Sequence, residues 1–385
     1  MDNLFNNAML DIFFSSTAFA IASFSLFLVP TSQSKSPLVF VLVCLLFFSL
    51  GPIVFKIMPA LIQLYVSLIP AVFFLFLPSL WFYHEATISP TPWEWQKSML
   101  THFTPLPFML LLGMALFFLP DQDFTQMFFS SKGVSTLWLE ALSILFFIVV
   151  LGWGILSCYY VASIMNRTIK YRTRIRAMYA DETGRSLHWL GLTLVLIIFT
   201  WLYALVVLTI DDKLQGFGVS DTGVLILLTA IVWLIALNGV KQRPGFEDTH
   251  LQSAASSDEI NKKSYERSAL NDDDLQRISI KLTAALSSDK VHLSPELNLL
   301  TLSKHVREPS QYVSQTLSQN LNTTFFDFIN KARIDEAKQI LIKTNDTVFD
   351  IAYATGFNSR SSFYKAFRQY TNQTPNEFRK AISKP

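Results

Sequence analysis

The chain has 385 residues, more than one domain commonly uses, and is 51% hydrophobic but only 16% charged, with 34 Phe. Its formal charge of +2 hides an asymmetry: residues 1–240 hold 11 Lys and Arg against 12 Asp and Glu, whereas residues 275–385 hold 15 against 9, a net +6. Two cysteines in apolar runs, Cys44 and Cys158, and six histidines without ligand spacing offer no disulfide framework, metal site or cofactor site, and no nucleophile or acid/base set points to an enzyme.

Apolar segments long enough to cross the roughly 30 Å hydrocarbon core of a bilayer run over about 9–30, 37–55, 59–83, 102–120, 136–163, 187–210 and 222–240. Residues 1–240 are therefore expected to form a seven-helix transmembrane domain with the lipid bilayer as partner. The first segment follows "MDNLFNN", which lacks the positive leader of a signal peptide, and is read as a retained helix. Between the fifth and sixth segments, the loop "NRTIKYRTRIRAMYADETGR" sets Arg167, Lys170, Arg172, Arg174, Arg176 and Arg185 against Asp181 and Glu182, which assigns it to the cytoplasm. The neighbouring loops "DQDFTQMFFSSKGVST" and "DDKLQGFGVSDT" are acidic and fit the outer side. Lys241 and Arg243 after the last segment place the C-terminal part in the cytoplasm and the N-terminus outside; Lys56, in a short external loop, stands against that count. Asp11, His102 and Glu140 are the ionisable candidates within spans, each near enough to an end to reach the interface.

From Lys241 to Asp274 the composition turns to Ser, Asp, Glu, Lys and Asn, opening with "RPGF" and closing with "NDDD", which predicts a solvated linker. Short amphipathic helices follow over 275–385 with almost no strand signal, so the whole chain is expected to be all-α. In "LQRISIKLTAAL", for example, Leu275, Ile278, Leu282 and Leu286 fall at helical spacing.

Two stretches in this part share one plan. In "LNLLTLSKHVREPSQYVSQTLSQ", Leu299, Leu302 and Val306 line one helix with Asn298 as N-cap, and Val313 and Leu317 line the next, leaving Ser310, Gln311, Ser314 and Gln315 on its open face. In "IAYATGFNSRSSFYKAFRQ", a helix near 348–354, capped by Asp346 or Thr347, buries Val348, Ile351 and Ala352. Gly356 permits a tight turn, Phe357 plugs the angle, and Phe363 and Phe367 face the core of a second helix. That helix leaves Ser359, Arg360, Ser361, Tyr364, Lys365 and Arg368 open, a set suited to base edges and phosphates in a major groove. The intervening "FFDFINKARIDEAKQILIK" predicts a long helix holding the two units apart, and successive major grooves on one face of DNA recur about every 34 Å.

These phrases carry a resemblance. "FFDFINKARIDEAKQIL" and "VFDIAYATGFNSRSSFYKAFRQYTNQTPNEFR" resemble the DNA-binding domain of AraC-type (arabinose-regulator-like) bacterial transcriptional regulators, over about 110 residues from Leu275 to Arg379. The resemblance implies two helix-turn-helix units joined by a long helix; promoter DNA and RNA polymerase are the expected partners, and the sequence leaves a homodimer through either half open. It places base-reading positions at Gln311, Ser314 and Gln315 in the first unit and at Arg360, Ser361, Tyr364 and Lys365 in the second. Lys331, Arg333, Arg368 and Arg379 are expected to hold phosphates. Two departures stand out: the first turn reads "VREPS" where the family often has glycine, and Asn372 replaces the usual glycine before "QTP". More distantly, "PSLWFY" followed by "HFTPLP", with the arginine-rich loop before Trp189, resembles membrane-tethered members of that group. The function expected is a transcriptional regulator of the bacterial inner membrane that couples an unidentified signal to promoter binding. The rival is a transporter or channel with an appended regulatory domain, against which no span carries paired charges or a Gly/Pro-broken midplane site repeated in two halves.

Overall fold

The computed structural model describes residues 2–29, 35–89, 93–130, 136–182, 184–214, 221–242 and 270–382. It is 83% helical and contains no strand among the described residues. Two compact units divide it, Met1–Thr168 with Leu187–Gln242 and Ile169–Ser186 with Arg243–Pro385.

The first unit contains α1 (Asp2–Leu28), α2 (Ser36–Ser49), α3 (Gly51–Ile57), α4 (Ile62–Ile88), α5 (Leu106–Phe117), α6 (Asp121–Phe129), most of α7 (Leu137–Met178), α8 (His188–Leu214) and α9 (Asp221–Leu234). Among the described residues, seven stretches are long and apolar enough to cross a membrane: Ala8–Leu28, Ser36–Ile57, Pro59–Ile88, Lys97–Phe117, Leu137–Met178, His188–Val207 and Asp221–Gly239. They coincide with the segments expected from hydropathy. Phe13, Phe24, Phe27, Phe108, Phe147 and Ile155 project from them exposed, an outward face that water would penalise and hydrocarbon would not. Inside, small and aliphatic side chains meet: Ala18 and Ala22 of α1, Leu38, Leu42 and Leu45 of α2, and Leu77 and Leu80 of α4 are buried. Helix α5 approaches α4 so closely that a Cβ at Gly113 would lie 2.4 Å from the Ser67 carbonyl oxygen, the small-residue contact typical of membrane helices. Aromatic residues including Phe48, Phe73, Trp153 and Trp201 line an apolar cavity of about 270 Å³.

Several boundaries differ from expectation. Gly51 and Pro52 split the second span into α2 and α3, since proline cannot donate to the helical ladder. The acidic segment after α5 forms α6, whose first turn holds Asp121 and Asp123 and whose Phe124 is buried. The arginine-rich segment expected as a loop is helical as far as Met178, because α7 meets no glycine or proline there and its Arg, Lys, Ile and Met sustain a helix. Asp11 is buried rather than reaching out: it is ion-paired with Lys56 and accepts a 2.5 Å bond from Thr222 Oγ1, so Lys56 is not a lone loop charge. His102 Nδ1 lies 2.8 Å from Tyr160 Oη, and Glu140 is exposed.

The second unit is built on α10 (Asp272–Ser287), α11 (Leu299–Val306), α12 (Ser310–Gln319), α13 (Phe325–Lys343), α14 (Val348–Ala354), α15 (Arg360–Thr371) and α16 (Pro375–Ile382). The end of the expected linker belongs to α10: Asn271 caps it through the Asp274 amide at 2.7 Å, and Asp272, Asp273 and Asp274 sit at the positive end of the helix dipole. Residues 243–269 of that linker lie outside the described residues. One core gathers Ile278, Leu282, Leu302, Val313, Leu317 and Ile329 around α10, α11, α12 and the start of α13. A separate core gathers Ile334, Leu341, Ile351, Phe357, Phe363 and Phe367 around the rest of α13 with α14 and α15. At roughly 1.5–3 kcal/mol per buried aliphatic or aromatic side chain, each set is ample to order a small helical unit. Helix α13 therefore serves both cores, its N-terminal half in one and its C-terminal half in the other.

Candidate nucleic-acid interface

Each half of the second unit is a helix, a turn and a second helix. In the second half, Thr347 rather than Asp346 caps α14, accepting from the Asp350 amide at 3.2 Å. Gly356 then turns the chain at φ +85, where a Cβ would meet the Leu293 carbonyl oxygen at 2.7 Å. Ser359 caps α15 through the Ser362 amide at 3.1 Å. With Phe363, Ala366 and Phe367 buried, Arg360, Ser361, Lys365 and Arg368 stand exposed along one side of α15. Tyr364 is half-buried among them, with the Arg360 guanidinium 5.2 Å from its ring centre. The expected base-facing residues are thus brought together here, in a form with three cations and several hydrogen-bonding groups that fits a major groove.

The first half differs. Asn298 caps α11 and forms a capping box with Thr301, at 2.9 and 3.0 Å. The turn that lacks glycine puts Arg307 in the left-handed region at φ 58 and hands over to Pro309 before α12. On α12, Gln311 and Ser314 are half-buried and side by side on the open face, as expected. Gln315 is not: it is 5% exposed and its Nε2 donates to Gln319 Oε1 at 3.0 Å. Its place one residue beyond Ser314 turns it toward the core, and the exposed residue that continues the 311–314 stripe is Ser318. Only a fixed helix phase, not composition, separates those two.

The phosphate candidates divide as well. Lys331 and Arg368 are exposed. Arg333 is fully buried: its Nε donates to the His292 carbonyl at 2.7 Å and an Nη to the Ser294 carbonyl at 2.8 Å. Burial pulls its guanidinium down to about 10, so it remains a cation, but one fastening α13 to the 292–294 turn instead of facing a phosphate. Arg379 is half-buried, with an Nη donating to the Asp346 carbonyl at 2.7 Å, which ties α16 back to the start of α14. The exposed Arg307, in the turn noted only for its lack of glycine, joins the candidates.

Two helix-turn-helix units on one connecting helix define a bipartite helix-turn-helix module. Residues 302–381 match the family described as a helix-turn-helix domain, of AraC type. An uncharacterized HTH-type transcriptional regulator of Staphylococcus aureus (strain COL) is 33% identical over 113 residues, 29% of this chain and 14% of the relative. The uncharacterized HTH-type transcriptional regulator YisR of Bacillus subtilis (strain 168) is 32% identical over 93 residues, 24% of this chain and 32% of the relative. The matches thus span a third or less of these relatives' lengths. Among solved structures, the C-terminal domain of AraT, a response regulator from Geobacillus stearothermophilus, is 22% identical and covers 30% of this chain and 88% of its own, with a TM-score of 0.25.

Proposed function

We propose that the protein is a membrane-embedded, sequence-specific transcriptional regulator that reads promoter DNA with both helix-turn-helix units. The observation that carries this is the exposed row Arg360, Ser361, Lys365 and Arg368 on α15, beside a first unit of the same plan, in a chain with seven helices apolar enough to span a bilayer. Bases would be read by Gln311, Ser314, Arg360, Ser361, Tyr364 and Lys365; phosphates would be held by Lys331, Arg368 and Arg307. The chain would sit in a bacterial inner membrane with the basic stretch Lys170–Arg176 and the DNA-reading unit in the cytoplasm. RNA polymerase is the downstream partner this reading implies. A signal arriving at the outer face or within the bilayer would act through the apolar helices.

The test uses the full chain in lipid nanodiscs and a duplex enriched from a random-sequence pool. The wild-type protein should enrich a bipartite motif, and Arg360→Ala with Lys365→Ala should abolish the half of the motif read by α15. Enrichment of the same motif by the double variant would remove α15 from the reading surface.

A further inference from the structure

The segment between the fifth and sixth apolar helices packs as part of the DNA-reading unit. Its contacts are specific and fall on both halves of that unit. Ala180 is 2% exposed within the first core. Beside it, Tyr179 makes an isolated antiparallel bridge with Asn298, the N-cap of α11. On the connecting helix, the Ala180 carbonyl accepts from Asn330 Nδ2 at 2.8 Å, and the Arg176 guanidinium lies 4.7 Å from the Phe326 ring centre. In the second half, Asn358, just ahead of α15, donates to Asp181 Oδ2 at 2.9 Å. Arg176 Nε also donates to Glu182 Oε1 at 2.7 Å, which braces the bend of the segment itself.

Asn330 makes the arrangement more than a surface contact. It is 1% exposed, an amide set with Arg333 in the mostly apolar buried face of α13, and burying it is costly unless it is bonded. The bond it makes is to Ala180. The site on α13 is therefore shaped for a main-chain carbonyl arriving from this segment. Its position also matters, because residue 330 falls between Ile329 of the first core and Ile334 of the second.

We propose that Arg176–Glu182 is an intramolecular clamp that fixes the two helix-turn-helix units at one mutual setting, the setting that lets both occupy successive major grooves. The proposal rests on the DNA-reading function above and names the element through which the membrane helices act on it. The two cores are joined by α13, by the Gly356 turn packed against the 292–293 backbone and by the Arg333 bonds to the 292–294 turn. Asn358 Nδ2 donating to the Pro295 carbonyl at 3.3 Å and Tyr370 Oη donating to Asp327 Oδ1 at 2.9 Å add to these, most of them polar or local contacts. Without further restraint, two-groove binding must order the joint as it forms, and that cost comes out of affinity. A clamp bonded to Asn298, Asn330 and Asn358 removes it beforehand. Arg176 stands on the same unbroken helix as the fifth apolar stretch, Leu137–Met178, so a displacement of that helix displaces the clamp.

Two duplexes test this with the full chain in nanodiscs: the motif enriched by the wild-type protein, and the same duplex with one half scrambled. Asn358→Ala, at an exposed position, removes the bond to Asp181 and also a 3.3 Å bond to the Pro295 carbonyl, so Asp181→Ala, which leaves the latter in place, is run beside it and must give the same loss. Combined with Asn330→Ala, Asn358→Ala removes both side-chain anchors of the segment. For the double variant the Kd on the intact motif should rise about tenfold, while that on the half-scrambled duplex changes by less than about twofold. Amide hydrogen exchange should speed up at residues 179–182 and stay unchanged in α15, which verifies that the second unit is folded. Should Asn330→Ala disturb the fold, Asn358→Ala alone carries the test, with a loss of about threefold confined to the intact motif. An unchanged Kd despite faster exchange at 179–182, an equal loss on both duplexes, or a gain in affinity would each overturn the clamp. If the wild-type protein enriches no duplex, the DNA-reading assignment itself falls and the clamp with it. Enrichment by wild type with indifferent variants sinks the clamp alone.

Discussion

The second helix-turn-helix unit turns on Gly356 at φ +85, under two backbone carbonyls, and exposes Arg360, Lys365 and Arg368 on the helix that follows. The first turns on Arg307 at φ 58, in the open, and presents half-buried Gln311 and Ser314 with exposed Ser318. One plan thus serves two chemistries. On the proposed reading the cationic helix would supply the electrostatic part of DNA binding, which weakens with salt, while the neutral one would contribute hydrogen bonds that discriminate among bases without much affinity of their own. The difference also shows why the same departure from glycine is tolerated at one turn and not at the other. A left-handed residue with a side chain costs about 1–2 kcal/mol wherever it stands, but only at Gly356 would that side chain also collide with neighbouring backbone.

The largest effect should follow from forcing the second turn to resemble the first. Gly356→Ala places a Cβ 2.7 Å from the Leu293 carbonyl oxygen, in a backbone conformation a side chain disfavours. A destabilisation of about 4 kcal/mol is expected, combining the left-handed cost with displacement of the 292–293 backbone. Denaturant-dependent hydrogen exchange in α15 would read it, and protection equal to wild type would show the turn to be more pliable than its surroundings imply.

Removing two of the three cations of the second helix is the next step down. Arg360→Ala with Lys365→Ala should weaken binding to the enriched duplex about a hundredfold, near 3 kcal/mol, and lower the slope of log K against log salt by about 1–2. Gln311→Ala with Ser314→Ala should cost less and leave that slope unchanged while relaxing base preference in the other half-site. If both pairs altered the slope equally, the division of labour between the units would be wrong.

Much of this comparison was legible in the sequence, and the parts that were not have a common cause. Apolar spacing located both pairs of helices, Asn298 as a cap, Gly356 as a turn and Phe363 with Phe367 as a core stripe, because these depend on neighbours within one or two turns. Gln315 and Arg333 were misplaced because their fates depend on helix phase and on partners far along the chain. One residue's shift rotates Gln315 by about 100° from the open face toward the core. Arg333 looks like any exposed cation on an amphipathic helix until the carbonyls of His292 and Ser294, some forty residues upstream, are brought to it. The arginine-rich segment before Trp189 is the widest gap. Charge counting gives only an expected side of the membrane, and only the fold shows Ala180 buried in the core of the helix-turn-helix unit.

Arg333 gives a prediction of intermediate size that separates structure from recognition. Arg333→Met keeps the length of the side chain but leaves the buried His292 carbonyl and the partly buried Ser294 carbonyl without their donor, at a cost of about 2 kcal/mol. Exchange protection in α13 should fall by that amount, while the salt slope of DNA binding stays as in wild type. A reduced slope would return Arg333 to the phosphate-holding set.

The smallest effect is the most discriminating, because its two readouts move in opposite directions. Arg307→Gly relieves the left-handed strain in the first turn and should stabilise that unit by about 1 kcal/mol, seen as slower exchange in α12. If the guanidinium also faces the DNA backbone, the same change lowers the salt slope by about 0.9, the share of a single neutralised phosphate. A glycine would then make the first turn sturdier and the reader weaker. In that case the arginine is kept at a strained position for the charge it carries, and the unit otherwise lacking a cation on its reading helix has one at its threshold. Stabilisation with an unaltered slope would instead mean that Arg307 plays no part in binding, and that the electrostatic contribution of the first unit must come from Lys331 alone among the exposed candidates.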